Sequence, residues 1–188
     1  MADIMGVNRA SGGYQEKRVA YDAPDAVLEL SGALKWLWRR EGLPETVLCI
    51  GTDRSTGDAL GPIVGSTLSQ RRLGPIRVLG TLEEPVHAAN LSDYIRSYPS
   101  LLTTRVFAID ASLGRLPDVG MVSAAPGPLK PGAGVNKQLP ALGRYHLTGT
   151  VNVGGFMEFF VLQNTRLNVV MKMASCIAEA FLQSLGLG

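Results

Sequence analysis

Two short, wholly apolar runs constrain this chain most: VLCI at residues 47–50 and VFAI at 106–109. A strand with no polar position must be covered on both faces, as strands are in the middle of a parallel sheet flanked by helices. Each run gives way to a segment that carries carboxylates. The first opens on Gly51 and holds Asp53 and Asp58; the second begins with Asp110. In open parallel sheets, ligands and reacting groups gather just beyond the carboxyl ends of the strands. Two strands that aim acids at one crevice therefore predict a site. Paired carboxylates are one way for a site to hold an acid and a base near neutral pH.

Around these runs strands alternate with helical patterns. Residues 24–40 place Val27, Leu30, Leu34, Leu37 and Trp38 at helical spacing, and Gly42 and Pro44 stop the helix. Further helices are expected over 58–72, over 90–98 with Asn90 as N-cap, and from 156 to the end with a break near 164–165. Strands are expected over 76–79, 105–109, 119–124 and 147–153. The alternation predicts a single-domain α/β three-layer sandwich with a mostly parallel, doubly wound sheet. Its first three strands should stand in the order 2-1-3, which sets the Asp58 and Asp110 loops side by side, about one strand spacing of ~5 Å apart. Residues 1–20 read as a flexible N-terminal arm and 21–188 as the domain.

With 46% hydrophobic and 18% charged residues, the chain has the composition of a globular protein. A net charge of +2, with basic residues clustered no further than pairs, gives no footprint for nucleic acid. No apolar run is long enough for a bilayer, and the N-terminus lacks a signal-peptide core. Cys49 and Cys176 lie in apolar segments and read as buried hydrophobes, which fits a reducing cytoplasm.

Each candidate residue has a competing structural role. Asp58 could cap the helix that starts at Ala59. Asp110 has no convincing helix to cap; its alternative is pairing with Arg54 or Arg115. Asp53 could serve turn geometry alone. Ser55, Thr56 and Ser112 share these loops as hydrogen-bonding groups, without a Ser-His-Asp elbow. Gly51, Gly57 and Gly61 fit neither GxGxxG nor GxxxxGK[ST], and an acid at the helix start would repel phosphate. The loop at 128–137 brings Lys130, Gly132, Gly134 and Asn136, whose backbone N–H groups could bind a peptide or an oxyanion; a plain surface turn is the alternative. His87 falls on the Asp58 side of the sheet, and His146 at the other end if the last strand is parallel. Asp58, Asp110 and His87 form a weak metal alternative, unsupported by paired-His spacing. The aromatic-rich segment 154–166 reads as a buried helix or as a subunit contact that would make a homo-oligomer.

Five motifs carry a resemblance: CIGTDRSTGDALGP (49–62), GTLEEPVH (80–87), IDASLGR (109–115), GPLKPGAG (127–134) and GFMEFFVLQNTR (155–166). They resemble the sporulation protein YyaC family of endospore-forming bacteria, from residue 46 to the last helix. That family is similar to the germination protease of small acid-soluble spore proteins, and more distantly to hydrogenase maturation endopeptidases. The resemblance implies a phosphorylase/hydrolase-type α/β fold. The germination protease is an aspartic-type peptidase with one catalytic acid in a PDALGP segment and another in an IDA segment. Asp58 in GDALGP and Asp110 in IDA match them, and PGAGVN at 131–136 resembles its PGSGVGN loop. The chain is about half that protease's length, and lacks much of its insertions.

The leading expectation is a sporulation-associated, peptidase-like hydrolase. Asp58 and Asp110 would be catalytic. Asp53, Arg54, Ser55, Thr56, His87, Ser112, Lys130, Gly132, Gly134 and Asn136 would bind substrate. It would need no cofactor. Its substrate would be a protein or peptide, with small acid-soluble spore proteins as the implied class, in the cytoplasm of forespore or mother cell. Two rivals stand beside it: a non-enzymatic sporulation factor that binds a peptide or partner on the same fold, and a metal-dependent endopeptidase.

Overall fold

A computed structural model describes residues 16–130 and 140–187. In chain order the elements are β1 (Lys17–Ala20), α1 (Ala26–Glu41), β2 (Thr46–Cys49), α2 (Leu60–Ser69), β3 (Arg77–Leu79), α3 (Leu91–Ser97), β4 (Val106–Gly114), β5 (Met121–Pro126), β6 (Tyr145–Val153), α4 (Glu158–Gln163) and α5 (Leu167–Ser184). Six strands form one sheet in the order β1-β5-β6-β4-β2-β3. The pairs β2–β3, β2–β4 and β4–β6 are parallel. The pairs β1–β5 and β5–β6 are antiparallel. The chain is thus α/β with a mixed, mostly parallel sheet, and β3, β2 and β4 take the 2-1-3 order expected for the first three strands.

Helices cover both faces. On one, α1, α2 and α5 pack Leu30, Leu34, Leu37, Leu60, Val64, Met173, Ile177 and Phe181 against Val47, Cys49, Phe107 and Ile109. Trp38 sits at the centre of this layer, edge-on to Phe107 with ring centroids 5.2 Å apart. Its indole N–H donates to the Ser184 hydroxyl, so the ring is buried without an orphan donor. On the other face, Leu91 of α3 and Leu101 meet Leu48, Ile50, Val86, Val106 and Ala108. The strict apolarity of β2 and of the first half of β4 follows from this double coverage.

The structure corrects the expected elements in four places. Lys17–Ala20, placed in the arm, form edge strand β1 on β5; residues 1–15 lie outside the described residues. Strand β4 continues past Ile109 to Gly114, because β6 pairs with it along that whole length. Strand β5 runs antiparallel to its neighbours. Asn90 flanks α3 but makes no cap bond with its side chain; instead it accepts from the His87 N–H and donates to the Pro85 carbonyl. The break expected near 164–165 separates α4 from α5.

Candidate active site

The loop after β2 is folded tightly back on itself. Gly51 takes φ +141°, and its N–H donates to the Val86 carbonyl. The Thr52 N–H donates to the Asp58 carbonyl at 3.2 Å, which closes the 52–58 segment into a ring. A methyl group on Gly51 would lie 1.9 Å from that carbonyl oxygen, so only glycine fits the closure. Asp58 lies inside a short 3-10 turn, Gly57–Ala59, and Ala59 precedes α2 with no side-chain cap bond. The capping role is therefore unfilled by Asp58, and its carboxylate stays available at the half-buried mouth of the sheet.

Asp110 stands on the neighbouring strand. The Ile50 N–H donates to the Ile109 carbonyl at 2.7 Å, which carries the β2–β4 pairing up to the residue before Asp110. Asp110 is opposite Thr148 and Ser112 is opposite Thr150 in the parallel register. Alternation along a strand puts Asp110, Ser112, Thr148 and Thr150 on one face. There the Ser112 and Thr150 hydroxyls bond at 3.2 Å. The opposite face is apolar: a Cβ on Gly149 would strike Leu60 and Met173. Neither proposed basic partner reaches Asp110 among the described residues. Arg115 pairs with Asp118, and Arg54 donates to the Thr52 hydroxyl.

Burial raises the pKa of both acids. For Asp110 the shift is large: loss of solvent is the main cause, the Asp58 charge adds to it, and the Ala111 N–H partly offsets it. Asp58 is raised by burial too, but the Thr52 N–H and His87 both pull it down. The two carboxyls are thus electrostatically coupled, and Asp110 is the one that holds its proton more firmly. His87 owes its position to a parallel bridge between Ile50 and Val86 and to the bond that its N–H donates to the Asn90 side-chain oxygen. Its Nδ1 accepts from the Ala89 N–H. His146 stands at the start of β6, opposite Ala108, with Nδ1 on the Gly127 carbonyl. His87, not His146, is the histidine whose charge bears on Asp58.

The remaining expected residues scatter around this centre. Asp53 and Arg54 are exposed on the loop, and Thr56 is half-buried beside the 3-10 turn. Ser55 is buried, and its hydroxyl has no hydrogen-bond partner among the described residues. Lys130 is exposed. Gly132, Gly134 and Asn136 lie outside the described residues. No three His, Cys, Asp or Glu residues gather as metal ligands among the described residues, so Asp58, Asp110 and His87 do not assemble into the ligand set considered from sequence. Cys49 and Cys176 are buried and free, and burial raises both thiols, that of Cys176 to about 11. The segment at 154–166 corrects its core reading: Phe156, Phe159 and Phe160 are exposed.

Thr52, Thr148 and Thr150 were not singled out from sequence. The signal for the last two was present: Thr148, Thr150 and Asn152 alternate with Leu147, Gly149 and Val151 along β6. No comparable signal marks Thr52, whose part is played by its backbone.

A family model described as "Protein of unknown function (DUF1256)" matches residues 18–180. The chain belongs to the DUF1256 family. It is also 54% identical over 151 residues to the uncharacterized protein YyaC of Bacillus subtilis (strain 168), covering 80% of this chain and 72% of that protein. The DUF1256 match spans β1 through most of α5, and so takes in both acids and His87. No helix among the described residues of this DUF1256 member is long and apolar enough to cross a membrane.

Proposed function

We propose that this chain is a peptidase-like hydrolase in which Asp58 and Asp110 share one proton. The observation that carries the reading is the coupling of two half-buried acids, Asp58 in the 3-10 turn that follows β2 and Asp110 on the adjacent parallel strand β4, with no basic side chain among the described residues neutralising Asp110. Structural ion pairs lower carboxyl pKa values; two neighbouring acids raised by burial, one of them further by the other's charge, are the pattern of an acid–base site. The unequal surroundings divide the roles. Asp58, favoured as the anion by the Thr52 N–H and His87, is the general base. Asp110, the better proton holder, is the general acid.

In the first step Asp58 takes a proton from water as the water oxygen bonds to the scissile carbonyl carbon. Asp110 gives its proton to the carbonyl oxygen, which yields a neutral gem-diol. In the second step Asp110 recovers a proton from one of the two hydroxyls, the C–N bond breaks, and the proton on Asp58 goes to the leaving amine. Both carboxyls regain their starting states. The likeness of GDALGP and IDA to the germination protease motifs supports peptide-bond hydrolysis and a role in sporulation, with small acid-soluble spore proteins as the first substrates to try. A second reading, a binding factor without turnover, draws on the exposed aromatic side chains around α4. The test is incubation of wild type and Asp110→Asn with small acid-soluble spore proteins, followed by mass spectrometry. Defined fragments from wild type alone support the hydrolase; intact protein in both favours the binding factor.

A further inference from the structure

Four large apolar side chains stand in solvent around α4: Phe156, Met157, Phe159 and Phe160, exposed by 80%, 58%, 69% and 56%. They are not a frayed end. The Asn152 amide donates to the Val161 carbonyl and the Thr165 hydroxyl, and Thr165 donates to Val161 in turn. The Gly155 N–H donates to the Glu158 carboxylate, which holds the only acid of the segment against its own backbone. Met157 takes the left-handed conformation, φ +48°, a strained geometry for a residue with a side chain. The backbone is therefore pinned while the aromatic side chains are presented outward.

The helix that carries this face packs on the turn that holds Asp58. The inner side of α4 is Leu162, and a methyl on Gly57, the residue before Asp58, would lie 2.8 Å from the Leu162 side chain. Phe159 is three residues before Leu162 on the same stripe, so it lies ~4.5 Å further along the helix axis. An extended peptide advances about 3.3 Å per residue, so a chain lying at the acids reaches Phe159 within a few residues.

Position argues for a substrate chain rather than a second copy: α4 packs through Leu162 on Gly57, in the turn that carries Asp58. At about 150–250 Å² per large side chain, the exposed parts amount to roughly 500 Å². Apolar patches of about 300–600 Å² on single chains are often functional.

We propose that the Phe156–Phe160 face binds a large apolar side chain of a polypeptide a few residues from the bond held at Asp58 and Asp110. The assignment of the bond rests on the hydrolase reading; the docking of the side chain does not.

The probes are two fluorescent pools of short degenerate peptides, identical except for one position fixed as Phe or as Ser. The inactive full-length Asp110→Asn protein should bind the Phe pool about tenfold more tightly, a difference of ~1.4 kcal/mol. Adding Phe159→Ser, or Phe156→Ser as an independent variant, should remove most of that preference. Equal binding of the two pools overturns the proposal. So does a dimer, seen by sedimentation, that dissolves on Phe159→Ser while the pools remain undiscriminated. Preference for the Phe pool with no cleavage by wild type upholds the docking face and sinks the hydrolase.

Discussion

Around β2, backbone approaches backbone so closely that side chains are excluded. A methyl on Gly61 would lie 2.1 Å from the Ile50 oxygen, on Gly65 2.0 Å from the Gly80 oxygen, and on Gly80 1.8 Å from the Cys49 oxygen. Across the Asp58 turn, the start of α4 is the reverse. A methyl on Gly155 would meet nothing within 4 Å, and Phe156 beside it is 80% exposed. Both regions touch the same acid-bearing loop. One fixes where the acids sit; the other leaves a surface that nothing in the described chain covers. The contrast separates the proposed reaction centre, which is rigid, from the proposed recognition face.

The substitutions that test this division fall in order of size. Asp110→Asn should lower the peptide hydrolysis rate by about 10³-fold, in the range removed with a general acid, while leaving the circular dichroism spectrum unchanged. A rate within a few fold of wild type would detach Asp110 from the chemistry. The same variant carries a stability signature of opposite sign. The native state holds a proton on Asp110 that the unfolded chain gives up, because the folded carboxyl is raised. The stability from that proton is full below the ordinary carboxylate range and is lost as pH rises through the raised value. Asp110→Asn should therefore show a weaker fall of Tm as pH rises above the ordinary carboxylate range and a higher Tm at the alkaline end.

Gly65→Ala should act on the fold instead. With backbone oxygen in the way, the cost is about 3 kcal/mol, and Tm should fall by about 6–12 °C for a chain of this size. An unchanged Tm would mean that the β2 junction yields, and the comparison would lose its rigid half. Phe159→Ser belongs to the other half. It should raise KM about tenfold on substrates with a large apolar residue near the cut, and leave the stability within about ±0.5 kcal/mol of wild type. A marked loss of Tm there would make the face structural after all. His87→Ala is the smallest change. His87 helps hold Asp58 ionised, so its loss should move the acidic limb of the pH–rate profile upward and reduce the rate only a few fold. Abolished activity would promote His87 to a direct role.

Much of the frame was legible because double coverage leaves a plain mark: VLCI and VFAI are short, wholly apolar, largely β-branched or aromatic runs ending in turn and acid residues, the pattern of central strands. The two acids followed from that. Strand β1 was not legible, since KRVA is short and half charged, and it is held by tertiary partners: pairing to β5, burial of Val19, and the Lys17–Glu29 and Arg18–Asp118 ion pairs. The antiparallel course of β5 was within reach. Six residues, 115–120, separate β4 from β5, too few for a parallel crossover of a dozen or more. The second half of β4 was hidden because ASLG is polar and small, and its strand character comes from β6. The exposed face of α4 was hidden for a different cause: three Phe in a short segment read as core by composition, and only the Asn152–Thr165 anchor turns them outward.

The most direct test of the paired-acid account is hydrolysis in water labelled with ¹⁸O, comparing wild type with Asp110→Asn on a polypeptide substrate by mass spectrometry. The account predicts fragments from wild type alone, each new carboxyl terminus carrying ¹⁸O taken from attacking water. Fragments from both proteins, or from neither on any polypeptide that the Asp110→Asn variant binds, would contradict it.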